Sequence, residues 1–198
     1  MKYINNVVIT IISILFFIIL LIRYRLCRMY SLLDSVIHIL HKNNIACYID
    51  CGTLLGCVRD GGLMTYDSDV DVTIHISDLD RLKSIDFSTV GLIADVRPNV
   101  NLVRAREKGI NLHCYCDIYA NPAFPRLSSK TIVNTFGEKK VYPIPINSEL
   151  YLEMVYGVNW KTPNPFDKGG EWPTFFYNEL ITSEYAIHWD RSYPIIKS

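Results

Sequence analysis

From Val7 to Ile22 every position is apolar except Thr10 and Ser13. A helix over this run measures about 24 Å at roughly 1.5 Å per residue. That is somewhat short for a hydrocarbon core of about 30 Å. Ile4, Tyr24 and Leu26 extend the run at its two ends, and a thinner bilayer requires less length. The pattern predicts a single-pass, signal-anchor type of transmembrane helix. The competing readings are a buried core helix and a cleaved signal peptide. Against the latter, no small-residue cleavage site follows the run; Arg23, Arg25 and Arg28 follow instead. By the positive-inside rule those arginines, set against Lys2, favour a cytosolic placement of the domain that follows. The margin is narrow, and a lumenal domain stays open.

Beyond the anchor the period changes. Leu32, Leu33, Val36, Ile37, Ile39 and Leu40 recur at helical spacing between Met29 and Lys42, with polar residues interleaved and Asn43-Asn44 as a stop. Ile45 to Cys51 reads as a short strand, apolar apart from Asp50. Thr53 to Arg59 reads as a brief helix broken by Asp60-Gly61-Gly62. Asp69 to Ile76 alternates strictly: Val70, Val72, Ile74 and Ile76 share one face of a strand, and Asp69, Asp71, Thr73 and His75 share the other. A capped helix at Ser77 to Lys83 follows. Strands are predicted at Val90 to Val96, Asn101 to Arg106 and Leu112 to Tyr119, with Arg97-Pro98-Asn99 as a turn. From about Tyr142 the chain is rich in Pro, Trp and Tyr. It predicts irregular loops with short helices at Ser148 to Tyr156 and Tyr177 to Ile187. The expected architecture is α+β: a small mixed β-sheet flanked by helices and preceded by the transmembrane helix. Residues 1–28 are expected to form the anchor and its basic flank, and 29–198 one domain.

Composition narrows the class without choosing a function. The 198 residues are 49% hydrophobic, enough for one compact domain. Formal net charge is zero, which argues against a nucleic-acid surface built on bulk charge. The six cysteines are Cys27, Cys47, Cys51, Cys57, Cys114 and Cys116, with no Cys-x-x-Cys pair. Cys114 and Cys116 beside His113 invite a metal reading, but buried free thiols are the commoner case. The absence of an Asn-x-Ser/Thr site favours the cytosol weakly.

Candidate chemistry begins with Asp69 and Asp71. On one strand face their Cα atoms lie roughly 6.5–7 Å apart. Their charges repel unless a cation lies between them. A hard, oxygen-seeking ion, Mg²⁺ or Mn²⁺, resolves the conflict. On its own the pair is more simply a solvated strand face. Context changes that weighing. Upstream, a strand runs into Gly52-Thr53 at a helix start, where free N–H groups and the helix dipole suit phosphate; the plainer alternative is a helix cap. Downstream, Asp117 is the lone carboxylate of a largely apolar strand, and such acids are seldom buried without a partner. Set beside Asp69 and Asp71 it becomes a third metal ligand; otherwise it caps a loop at Asn121-Pro122.

The stretch Cys51-Gly52-Thr53-Leu54-Leu55-Gly56-Cys57-Val58-Arg59, followed by Tyr66-Asp67-Ser68-Asp69-Val70-Asp71, resembles the signature of the LicD/fukutin family. Cys116-Asp117-Ile118-Tyr119 resembles a later segment of that family. Tyr142-Pro143-Ile144-Pro145 and Trp160-Lys161-Thr162-Pro163 resemble its C-terminal pattern. Thr65-Tyr66 and Ser68 depart from the usual residues without removing a predicted ligand.

The resemblance implies a nucleotidyltransferase-like fold. It also implies transfer of a phosphorylated alcohol, of the phosphocholine or ribitol phosphate kind, from a CDP-alcohol donor to a glycan or glycoconjugate acceptor. It makes Asp69, Asp71 and Asp117 the catalytic metal ligands and Gly52 and Thr53 holders of donor phosphate. Arg59 would be a further phosphate contact, or else a surface ion pair. Asp67 would stand behind the ligands or cap a turn. Two other functions stay open on the same residues: nucleotidyl transfer to a small molecule or sugar, and a catalytically inactive membrane scaffold.

Overall fold

A computed structural model of the chain describes residues 2–97, 101–109, 114–134 and 137–163, with backbone only for 2–5. One helix, α1 (Lys2–Lys42), runs for 41 residues. No Gly or Pro falls within it to break the hydrogen-bond ladder. The apolar run and the amphipathic segment are therefore a single rod about 60 Å long. It ends where Asn44 adopts the left-handed conformation (φ 56°) and the Asn43 amide donates back to the Ile39 carbonyl.

The two halves of α1 meet different surroundings. Val7 to Ile22 and Tyr24 are exposed on every side. Leu26 is already buried, and Met29, Leu32, Leu33, Val36 and Leu40 after it are almost fully enclosed. Each such side chain removed from water contributes about 1.5–3 kcal/mol. The helix is long and apolar enough to cross a membrane, and it enters the domain core without a linker.

The core half of α1 packs on a five-stranded mixed sheet. The strands are β1 (Cys47–Ile49), β2 (Asp69–His75), β3 (Leu92–Arg97), β4 (Leu102–Glu107) and β5 (Tyr115–Asn121), in spatial order β1-β2-β5-β4-β3. Only the β2–β5 pair is parallel. Helix α2 (Cys51–Arg59) follows β1 and packs on β2; α3 (Leu79–Lys83) follows a 3-10 turn at Ile76–Asp78. The expected α+β class, mixed sheet and long apolar N-terminal helix are all present.

Several expectations change. The strand predicted at Leu112 to Tyr119 runs from Tyr115 to Asn121. Tyr142 to Pro145, expected to begin a loop region, belong to a strand: β6 (Leu127–Val133) and β7 (Lys139–Pro145) form a separate antiparallel pair. A two-stranded ribbon has free edges, so Pro143 and Pro145 forfeit little by lacking an N–H. Lys140 and the Tyr142 hydroxyl both reach Asp34 on α1, at 2.7 and 2.9 Å, and fix the ribbon to the domain. Helix α4 (Ser148–Tyr156) lies at the expected residues. The Tyr177–Ile187 helix, His113, and Pro98 and Asn99 of the predicted turn fall outside the described residues.

Candidate metal centre

The polar face of β2 is covered rather than solvated. Asp71 is 6% exposed and Thr73 fully buried. Strand register explains what meets there. Asp71 stands opposite Asp117 in the parallel β2–β5 pair, and Asp117 stands opposite Arg104 in the antiparallel β4–β5 pair. Directly opposed residues project to the same side of a sheet, so Asp71, Asp117 and Arg104 form a row across three strands. Asp69, two positions before Asp71, shares that face. Oxygens of Asp69, Asp71 and Asp117 lie within 4.8 Å of one another.

Such crowding is costly for isolated charges. Burial, then hydrogen bonding and repulsion from Asp67, then repulsion from Asp117, push the Asp69 carboxyl up to about 7. Asp71 is pushed well above the ordinary carboxylate range, first by burial and then by the charges of Asp69, Asp67, Asp50 and Asp117. Three converging carboxylates, two of them resisting ionisation, match the needs of a hard divalent cation, which takes oxygen ligands and cancels the repulsion. The donor set fits Mg²⁺ or Mn²⁺; nitrogen and thiolate donors are absent from it.

Arg104 already supplies one positive charge. Its Nε and Nη2 each donate to Asp117 at 2.7 Å in a bidentate pair, and its guanidinium stacks 3.9 Å from the Tyr115 ring. Asp117 is thus held in the middle of β5 by a partner, not at a strand end capping a loop; that loop is turned by Asn121, whose side chain accepts from the Ala123 N–H. Sequence reasoning passed over Arg104. Its strand, Leu102–Glu107, is half charged and holds a second arginine, so nothing local marks Arg104, and its partner is visible only once strand order is known.

A second group frames the site from the other side. Asp50 ends β1 and caps α2, accepting from the Cys51 N–H at 2.8 Å, the Thr73 hydroxyl at 2.6 Å and the Tyr151 hydroxyl of α4 at 2.7 Å. Its own N–H donates to the Asp71 carbonyl at 3.0 Å. Cys51 carries a left-handed φ of 49°, a local strain of a kind that collects at functional sites. The Thr53 hydroxyl accepts from the Asp71 N–H at 2.8 Å and is buried. Thr53 therefore clamps α2 to β2, a role the reading of it as a phosphate holder did not include.

The remaining candidates are placed as follows. A Cβ on Gly52 would lie 2.6 Å from Asp67 Oδ2, so glycine lets the Asp67 carboxylate approach the start of α2. Asp67 also accepts from the Ser68 N–H and borders Asp69, as a turn residue beside the acids. Arg59 stands at the opposite end of α2, bonded through Nε and Nη2 to Asp60 at 2.8 and 2.7 Å and to the Tyr66 hydroxyl at 3.1 Å. The structure brings Asp69, Asp71 and Asp117 together, sets Asp67 and Gly52 beside them, and leaves Arg59, its side chain largely buried, in an ion pair with Asp60 at a position about 10 Å further along the helix.

Residues 44–115 match the family model for the LicD/FKTN/FKRP nucleotidyltransferase domain. Over that stretch the chain is similar to the LicD family. The match covers α2 and its glycines, Asp67, Asp69 and Asp71, and it stops two residues before Asp117. An uncharacterized protein of Rickettsia prowazekii (strain Madrid E) is 26% identical over 169 residues, covering 81% of this chain and 59% of that protein. An uncharacterized protein of Rickettsia typhi is 27% identical over 186 residues, covering 84% of this chain and 54% of its own length. The chain thus spans somewhat more than half the length of these relatives. The matched stretch is similar to a nucleotidyltransferase domain, and two of the three converging acids, Asp69 and Asp71, lie within it.

Proposed function

We propose that this LicD-like chain is a membrane-anchored, divalent-metal-dependent phosphotransferase that moves a phosphorylated alcohol from a CDP-alcohol to a hydroxyl of a glycan or glycoconjugate. The observation that carries the reading is the convergence of Asp69, Asp71 and Asp117 on one buried point, within a chain similar to this family. Asp69, Asp71 and Asp117 would hold Mg²⁺ or Mn²⁺, which when bound supplies positive charge to the donor diphosphate. In the transfer, the acceptor hydroxyl oxygen bonds to the phosphorus bearing the alcohol. The bond from that phosphorus to the oxygen of cytidine monophosphate breaks, and the hydroxyl proton passes to solvent. The chain contributes orientation and fixed charge, as in phosphoryl transfer generally. Gly52 leaves room at the start of α2 for a close approach, and the bidentate pair with Arg104 fixes the orientation of Asp117. The apolar half of α1 keeps the domain at a bilayer.

The deciding experiment incubates the full chain with a panel of CDP-alcohols and Mg²⁺ or Mn²⁺ and measures release of cytidine monophosphate. Release from one donor names the cargo. Metal-dependent transfer of the nucleotide itself, with no cytidine monophosphate released, would replace this reading by nucleotidyl transfer.

Metal binding is also expected to reverse a pH-dependent weakness. Asp69 and Asp71 bind protons more tightly folded than unfolded, so between the ordinary value of 3.8 and about 7 the folded chain carries the extra protons. Stability of the metal-free protein therefore falls as pH rises through that window. Above it Asp69 is charged, and the cation, which also displaces protons from Asp71, binds best. At a hundredfold excess over its dissociation constant the ion should raise Tm by about 5–10 °C at pH 7.5. At pH 5, where protons compete, the gain should be clearly smaller. Equal gains at both pH values in thermal melts would contradict this assignment of the acids.

A further inference from the structure

We propose that the Thr65–Asp67 turn, which borders the acid cluster, is a membrane-contact surface seated in the lipid headgroup layer. The inference rests on the reading of α1 as a bilayer anchor and goes beyond it, because an anchor alone leaves the orientation of the domain open. α1 continues without a break from its exposed apolar half into the core, so the height of any residue bonded to it follows from position along the helix. Arg25 lies three residues past Ile22, about 4.5 Å further along the axis. Its Nη2 donates to the Thr65 carbonyl at 3.0 Å and also to the Asp67 carbonyl. Helical side chains lean toward the N-terminus, which here is the membrane end.

The segment leading to this turn runs down the helix toward the bilayer. The Leu63 N–H donates to the Tyr30 hydroxyl at 2.9 Å, and Tyr30 lies eight residues past Ile22, about 12 Å along the axis. Between Leu63 and Asp67 the chain thus descends from the level of Tyr30 to that of Arg25. A headgroup layer is about 5–7 Å deep on each side of the hydrocarbon, which overlaps the height of Arg25. The exposed side chains at this level suit the interface. Tyr24 on α1 is 53% exposed and Tyr66 at the tip of the turn is 62% exposed, and tyrosines are enriched where hydrocarbon meets headgroups. Asp67, in the same turn, borders Asp69 and Gly52. A docked turn therefore holds the acid cluster at the membrane surface.

The test uses the full chain with Cys27→Ser, which removes the exposed thiol and leaves five buried ones. Tyr66→Cys and, separately, Asp80→Cys are labelled with an environment-sensitive fluorophore and reconstituted into phosphatidylcholine/phosphatidylglycerol vesicles. Asp80 is the distant control: the neighbouring Arg81 bonds to the Asn44 carbonyl beyond the far end of α1, about 33 Å from Ile22. With lipids carrying a nitroxide on the headgroup, the Tyr66 label should lose most of its emission and the Asp80 label almost none. Flotation of the vesicles after an alkaline wash tests the anchor separately. Protein that floats but shows equal quenching at the two positions overturns the docking and leaves the anchor standing. Protein that fails to float overturns both.

Discussion

Asp71→Asn should lower metal-dependent turnover by about a thousand-fold, on the scale of losing one preorganised electrostatic group, while making the metal-free protein more stable. Both effects have one cause. Asp71 is 6% exposed and stands among Asp50, Asp67, Asp69 and Asp117. Its charge there is opposed by burial and by repulsion, so a neutral amide of the same shape relieves the folded state. The same amide is a poor ligand for a hard cation. The variant should therefore melt above the wild type without metal and no longer respond to Mn²⁺. Paired melts with and without Mn²⁺, alongside release of cytidine monophosphate, read both halves. A variant that keeps metal-dependent turnover would remove Asp71 from the site. One that melts below the wild type would show its carboxylate to be structural. Stability surrendered at a cluster of like charges is the usual mark of a site kept for function.

How far this site was legible in the sequence depends on whether its parts are local. The alternation from Asp69 to Ile76 places both acids on one strand face, and the structure keeps that face. Helix α2 and the Ser148–Tyr156 helix are equally local in their signals. The convergence of Asp117 is not local, because it requires β2 and β5 to lie side by side in parallel, across the intervening β3 and β4. The same holds for Arg104, which reaches Asp117 only through the β4–β5 register. Local rules also misread β7. Pro143 and Pro145 signal a loop unless the strand belongs to a narrow ribbon, and nothing in the stretch itself reveals its partner β6. The continuity of α1 was obscured by the change from an all-apolar to an amphipathic pattern near Arg23. That change marks where the surroundings of the helix change; its hydrogen bonding continues past Arg28 to Lys42.

Asp50→Ala is the substitution expected to cost the fold most. Asp50 is 1% exposed. Its carboxylate accepts hydrogen bonds from three elements: the Cys51 N–H of α2, the Thr73 hydroxyl of β2 and the Tyr151 hydroxyl of α4. Burial pushes the Asp50 carboxyl up, and these donors offset part of that rise. Alanine leaves the donors buried without an acceptor, at about 1–3 kcal/mol each, and removes the cap of α2, worth about 1 kcal/mol. Relaxation recovers part of this, so a net loss of about 3–5 kcal/mol is expected, or roughly 10 °C in Tm. Tyr151→Phe removes one donor together with its need for an acceptor and should cost only about 1 kcal/mol. Combined with Asp50→Ala it should cost less than the sum, because the hydroxyl it deletes is one of those left stranded. Strict additivity in that cycle, or a single variant melting within about 2 °C of the wild type, would show that Asp50 does not join the three elements. The consequence for activity runs through the backbone. The Asp50 N–H donates to the Asp71 carbonyl and the Asp71 N–H to Thr53, so loosening this junction displaces the ligand strand itself.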